Sequence, residues 1–130
     1  MRRVLLLEHL SLDGFLAGSN GEMDWIHVDE ELFAASAPIY AHADAAIFGR
    51  TTYEMMAAYW PTAGDSPDAG PHDVAHSRWL NRSTVFVFSN TLQSAPWSAS
   101  RTATVVPAPD LPAAARELKA QPGGLSLIHI

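Results

Sequence analysis

The sequence predicts an α/β fold of three layers, with helices on both faces of a largely parallel central sheet. Two features carry that expectation. Short apolar runs at residues 3–10, 45–48 and 84–88 are too brief for helices and read as strands covered on both faces. Segments with apolar residues at helical spacing lie between such runs, and strands that alternate with helices favour parallel crossover connections. A length of 130 residues, with no internal repeat and no low-complexity stretch, suits a single domain over residues 1–130.

Taken in order, Arg3 to Leu10 reads as a strand buried on both faces. Ser11-Leu12-Asp13-Gly14 supplies a turn and Gly18-Ser19-Asn20-Gly21 tolerates positive φ, so residues 11–27 are expected to form a long loop. Asp29, Glu30 and Glu31 place negative charge where a helix N-terminus favours it. Leu32, Ala35, Ser36, Ile39 and Ala43 follow at helical spacing, and Pro38 is expected to kink or shorten that helix. Ala45 to Phe48 reads as a strand ended by Gly49. A short helix follows to residue 60, with Thr51 and Glu54 at capping-box spacing. Residues 61–77 hold Pro61, Pro67, Pro71, Gly64, Gly70 and three Asp, which read as a surface loop and variable insertion, with one helical turn over His76 to Leu80.

Thr84 to Phe88 is the clearest strand, closed by Ser89-Asn90-Thr91. Arg101 to Val106 reads as a further strand, Pro107 to Pro112 as a turn, and Ala113 to Ala120 as a helix stopped by Pro122-Gly123-Gly124. Leu125 to Ile130 reads as the start of a strand. With no turn, cap or polar tail after it, the expectation is a truncated chain that ends in an uncovered strand.

Eight Lys and Arg against 14 Asp and Glu leave a net charge of −6, a field that repels polyanions, so nucleic acid is not an expected partner. A small anion is still admissible at a single helix start. The absence of cysteine excludes disulfides, thiolate nucleophiles and cysteine zinc sites. Val4 to Leu7 is too short for a signal peptide or membrane span, so no membrane partner and a cytoplasmic location are expected.

Gly49-Arg50-Thr51-Thr52 is the strongest chemical signal. A strand that ends in glycine and opens a helix gathers free backbone N–H groups, and Arg50 adds a planar fork suited to a phosphate monoester. The Thr51 or Thr52 hydroxyl can donate to a pyrophosphate oxygen. The same residues also suit a capped helix with Arg50 in solvent. Ser89-Asn90-Thr91 follows a strand at its carboxyl end, where open α/β sheets place ligands and where hydroxyl and amide groups can hold an adenosine, and equally suits a turn stabilised by side-chain bonds. Asp13, Glu30 and Glu31 can orient a polar substrate or relay a proton, or can be turn and helix-dipole residues. His72 and His76 are four residues apart with no third ligand placed, so no metal is expected. Nucleophile-elbow, Walker and paired-glycine patterns are missing.

The residues Leu7-Glu8-His9-Leu10-Ser11-Leu12-Asp13-Gly14-Phe15, Met23-Asp24-Trp25, Ala43 through Glu54, Trp60-Pro61, Val85 through Ser89, Trp97 and Leu118 through Gly124 occur in an order and spacing that carry a family likeness. Together they resemble the reductase family that comprises the C-terminal domain of the riboflavin-pathway deaminase/reductase and its dihydrofolate-reductase-like relatives.

The resemblance implies a dihydrofolate-reductase-like fold that binds NADPH. By resemblance, Gly49, Arg50, Thr51 and Thr52 hold the pyrophosphate and 2′-phosphate, and Ser89 and Asn90 bound the adenosine. Backbone around Leu16 and Ala17 lines the nicotinamide. In dihydrofolate reductases a carboxylate follows the loop tryptophan by about one helical turn, which from Trp25 lands near Glu30. The family continues past Gly123-Gly124 with a strand, a Gly-rich turn, a helix and antiparallel strands, so this chain is expected to lack the C-terminal strands. The implied activity is NADPH-dependent hydride transfer to a small pyrimidine- or pterin-like substrate, with a homodimer as the implied assembly. The alternatives are a non-catalytic nucleotide-binding or self-associating fragment, and a dihydrofolate reductase proper that depends on Glu30.

Overall fold

The structure is a computed structural model that describes residues 2–129. Five strands, β1 (Arg3–Leu7), β2 (Ala43–Gly49), β3 (Thr84–Phe88), β6 (Thr104–Val106) and β7 (Leu125–His129), form one sheet in the order β1-β7-β2-β3-β6. Every pairing in it is parallel. Strands β4 (Pro96–Ser98) and β5 (Arg101–Thr102) make a separate antiparallel pair.

Helices α1 (Glu30–Ala41), α2 (Arg50–Ala63) and α3 (Pro71–Arg82) cover one face, and α4 (Leu111–Ala120) covers the other. Strand alternation sorts the side chains between them. Ala46 and Phe48 of β2, Val85 and Val87 of β3, and Leu127 of β7 pack with Tyr53, Met56, Trp79 and Leu80. Ile47, Phe86, Phe88 and Ile128 face Leu111, Ala114, Ala115 and Leu118 of α4 across a cleft of about 300 Å³. The three-layer α/β expectation therefore holds.

The expected uncovered strand at the chain's end is corrected. Strand β7 lies inside the sheet, paired with β1 on one side and β2 on the other, and Ser126 and Leu127 are fully buried. Ile130 lies outside the described residues. The approach to β7 is pinned locally: Gly124 N donates to Asp44 Oδ2 at 2.8 Å and Leu125 N donates to the His42 carbonyl at 2.8 Å. Strand β1, expected to be buried on both faces to Leu10, ends at Leu7 and stands at the sheet edge, which leaves Arg3 and Leu6 exposed.

Helix α1 begins as its acidic start predicts, with Asp29 Oδ1 accepting from Leu32 N at 2.9 Å. Pro38 sits in its last turn and neither shortens nor displaces it, while Ala43 belongs to β2. The Thr51–Glu54 capping box does not form, because α2 starts at Arg50 and Thr51 is already inside it.

The largest correction concerns residues 61–77. Helix α2 runs through Pro61 to Ala63, and α3 occupies Pro71 to Arg82. Gly70-Pro71 marks a helix start rather than a loop, since proline suits the first helical position, and Asp73 Oδ2 accepts from Gly70 N at 3.3 Å. Helix α3 also supplies donors for carbonyls at the end of α2. Ser77 Oγ donates to the Trp60 carbonyl at 2.8 Å, and Asn81 Nδ2 to the Pro61 carbonyl at 3.0 Å.

The single strand expected over Arg101 to Val106 is broken at Ala103, whose N–H donates to the Ala95 carbonyl at 2.7 Å. Arg101 docks the β4–β5 pair on the C-terminus of α3, donating to the Asn81 carbonyl and to the Ser83 carbonyl at 2.6 Å. Helix α4 begins at Leu111, before the expected Ala113, with Pro112 in a first turn that needs no donor there.

Candidate functional site

Because all five strands of the sheet are parallel, Leu7, Gly49, Phe88, Val106 and His129 end at one edge. Open α/β sheets bind ligands at that edge. Gly49 caps α2 there with φ −74° and ψ 166°, an ordinary extended conformation, and a Cβ at this position would meet nothing within 4 Å. Neither backbone conformation nor packing demands glycine. What its missing side chain does is leave a clear approach to the first N–H groups of α2, at the positive end of the helix dipole.

Arg50 is half-exposed beside that approach. Its Nε lies 3.7 Å from Glu54 Oε1 and its Nη1 3.5 Å from Thr91 Oγ1. Both contacts are long, and an exposed ion pair of this kind holds the side chain weakly, so the guanidinium can turn to an anion. Thr51 is exposed and Thr52 buried, so of the two hydroxyls that of Thr51 is open to a ligand.

Ser89 Oγ accepts from Thr91 N at 3.2 Å and Leu92 N at 3.1 Å, and lies 3.3 Å from Thr91 Oγ1. Asn90 Oδ1 accepts from Ala108 N at 2.9 Å. These side chains build a turn that holds the end of β3 against the segment after β6. Thr91 brings this turn to Arg50. The Ser-x-Thr spacing sets two hydroxyls side by side.

Asp13 is exposed and accepts from Ser11 Oγ at 2.7 Å, beside the Gly14 turn at φ +89°. It shares a shallow cleft with Phe15, Ala17 and Trp25, while Leu16 is exposed. Glu30 is exposed at the first position of α1 and lines neither this cleft nor the α2 approach. The structure thus joins Gly49–Thr52 to the Ser89–Thr91 turn and Asp13 to Ala17, and leaves Glu30 apart from both.

A pocket of about 430 Å³ opens between α1, α2, α3 and the loop before α1. Met23, Ile26 and Val28 come from the loop, Leu32, Phe33 and Tyr40 from α1, and Met55, Met56, Tyr59 and Trp60 from α2. Helix α3 adds His72, Asp73 and His76, and His9, just past the end of β1, brings the pocket to the carboxyl edge of the sheet. Burial pushes the Tyr40 phenol up, against a hydrogen bond with Ser36, and so keeps it protonated. Burial pushes the His72 pKa down, with Asp73 opposing, which favours the neutral imidazole. The sequence reading missed this pocket because its third wall is α3. The Gly70-Pro71 helix start was the available signal.

Among the described residues, no cluster of three or more His, Cys, Asp or Glu is arranged to hold a metal ion, and no helix is long and apolar enough to cross a membrane.

The family model described as the RibD C-terminal domain matches residues 2–128. The chain is 30% identical over 92 residues to the uncharacterized protein YyaP of Bacillus subtilis (strain 168), an overlap of 69% of this chain and 45% of that protein. It also resembles a crystal structure from Shewanella sp. PV-4, of a protein provisionally named for riboflavin biosynthesis. That match has TM-score 0.56 at 21% identity and covers all of this chain and 64% of the other. The chain therefore spans less than two thirds of the length of each of these relatives.

Proposed function

The chain belongs to the RibD C-terminal domain family, and on that footing we propose that it is an NADPH-dependent reductase acting on a small pyrimidine- or pterin-like ring. The observation that carries this reading is the unobstructed approach over Gly49 to the start of α2, flanked by the loosely held Arg50 fork. That donor set fits the phosphates of NADPH. The first-turn amides and the Thr51 hydroxyl hold the pyrophosphate, and Arg50 matches the planar geometry of the 2′-phosphate.

Bound NADPH supplies the hydride, and the chain's part is orientation and electrostatics. The Ser89-Asn90-Thr91 turn bounds the adenosine side, and backbone at Leu16 and Ala17 the nicotinamide side. The substrate ring occupies the pocket between α1, α2 and α3. Met55 and Met56 of that pocket lie about 8 Å along α2 from Arg50, at 1.5 Å rise per residue. Asp13 shares a cleft with Ala17 and is the carboxylate assigned to orient the substrate or relay a proton. Glu30, exposed at the start of α1, lends no support to a dihydrofolate reductase proper.

A second reading, a nucleotide-binding chain that self-associates as a homodimer without turnover, has its own observation. Leu6 on edge strand β1 is 55% exposed and Leu12 on the following loop is wholly exposed. The test is loss of NADPH absorbance with pterin and pyrimidine ketones as acceptors, compared between the wild type and Asp13→Asn. Turnover that falls in the variant supports the reductase reading. NADPH binding without turnover on any acceptor favours the second.

A further inference from the structure

We infer that Asn20-Gly21 is a site of spontaneous covalent modification, a deamidation that the Glu22 carboxylate holds in check and that, once complete, keeps the turn of residues 18–22 open. The inference goes beyond the proposed reductase reading and does not depend on it.

The chemistry needs two neighbouring groups to meet. The backbone nitrogen of Gly21 gives its proton to solvent and attacks Cγ of the Asn20 side chain. A C–N bond closes a cyclic imide while the Cγ–Nδ2 bond breaks, and Nδ2 leaves as ammonia with a proton taken from water. Water then opens the imide at Cγ to give isomer-free aspartate, or at the backbone carbonyl to give isoaspartate. Glycine suits the second position because no Cβ shields its nitrogen and its backbone turns freely. Asn20 and Gly21 are both exposed, and Gly21 stands at φ +84°. Of the three asparagines in the chain only Asn20 precedes glycine, since Asn81 precedes Arg82 and Asn90 precedes Thr91. The other two are also held by their side chains: Asn81 Oδ1 accepts from Trp97 Nε1 and Asn90 Oδ1 from Ala108 N, each at 2.9 Å.

Glu22 folds back over the reactive pair. Its Oε1 accepts from Asn20 Nδ2 at 2.7 Å and its Oε2 from Asn20 N at 3.0 Å. Gly21 N donates to the Gly18 carbonyl at 3.0 Å, and Gly18 N donates to the Glu22 carbonyl at 2.8 Å. The attacking nitrogen and the leaving amide are thus tied to different partners, and both ties must break before Gly21 N reaches Cγ. Gly18 is needed for this arrangement, because a Cβ there would collide with the Glu22 carboxylate. The Asn20 side-chain hydrogen bond leads the causes that hold the Glu22 carboxyl below its usual range, so the latch carries its charge at neutral pH.

Deamidation removes the latch. It puts a carboxylate oxygen where Nδ2 donated, against the like charge of Glu22, and two neighbouring carboxylates repel. Gly18 and Ser19 also line the cleft that holds Asp13, Phe15 and Trp25, so an open turn alters that cleft.

The test follows wild type and Glu22→Ala at mildly alkaline pH, each folded and unfolded in urea, with peptide mapping for the mass gained when oxygen replaces NH. Conversion at Asn20 is expected to be about tenfold slower in folded than in unfolded wild type, the protection that a pair of hydrogen bonds provides. Folded Glu22→Ala should approach the unfolded rate, with Asn81 and Asn90 intact. Asn20→Asp, which mimics the product, should be cut faster than wild type within residues 16–25 by a nonspecific protease. Equal folded and unfolded rates in wild type, no acceleration in Glu22→Ala, earlier conversion at Asn81 or Asn90, or unchanged proteolysis of Asn20→Asp overturns the inference.

Discussion

The Arg2 guanidinium and the Asp44 carboxylate form a two-pronged pair, Nη1 to Oδ1 at 2.5 Å and Nη2 to Oδ2 at 3.2 Å, that ties the start of β1 to β2 across the entry of β7. Arg2 also donates to Ser126 Oγ and the Pro122 carbonyl, each at 3.3 Å, while Gly124 N donates to Asp44. One ion pair thus holds the turn that feeds the interior strand.

Asp44→Ala should lower stability by about 2 kcal/mol, below the cost of breaking a fully buried pair because half of the Asp44 side chain is exposed. Gly123→Ala should act in the same direction. Its backbone lies at φ +147°, and a Cβ there would collide with the pinned Arg2 guanidinium. Urea unfolding of both variants checks this, and wild-type midpoints would remove Arg2–Asp44 as the organiser of β7.

Gly49→Ala separates stability from binding. The φ of −74° suits alanine and its Cβ meets nothing, so unfolding free energy should drop by less than about 1 kcal/mol, the small cost of alanine at a helix N-cap. NADPH affinity should nonetheless fall by about tenfold, since the methyl occupies the phosphate approach. Calorimetry on the folded variant reads both.

His72 makes stability depend on pH. Burial holds its folded pKa below the ordinary 6.5, so the fold favours the neutral ring. That contribution is complete above pH 6.5 and is lost as pH falls through the folded pKa. Denaturant midpoints should therefore decline on acidification through this window, and His72→Phe, which keeps a ring against Phe33, should flatten that limb.

Local signals were legible where one residue sets one geometry. Asp29 at the start of α1 and Gly49 at the end of β2 both read correctly, because a cap and a strand-ending glycine act within a few residues. Helix α3 was hidden because Gly70 and Pro71 suit loop composition as well as the N-cap and first position of a helix. The place of β7 was not readable from Leu125–His129, since a parallel strand's neighbours are chosen by partners far along the chain. The aromatic pocket was invisible for the same reason, being assembled from three helices and a loop.

The most direct measurement is a thermal melt of the wild type and of Arg50→Ala, each with and without excess NADPH. At about 100 times the dissociation constant, ligand should stabilise the wild type by roughly 2.7 kcal/mol, a rise of several degrees in Tm. The account predicts that this rise is present in the wild type and largely lost in Arg50→Ala. No shift in the wild type, or an equal shift in both proteins, would contradict the assignment of the α2 N-terminus as the cofactor site.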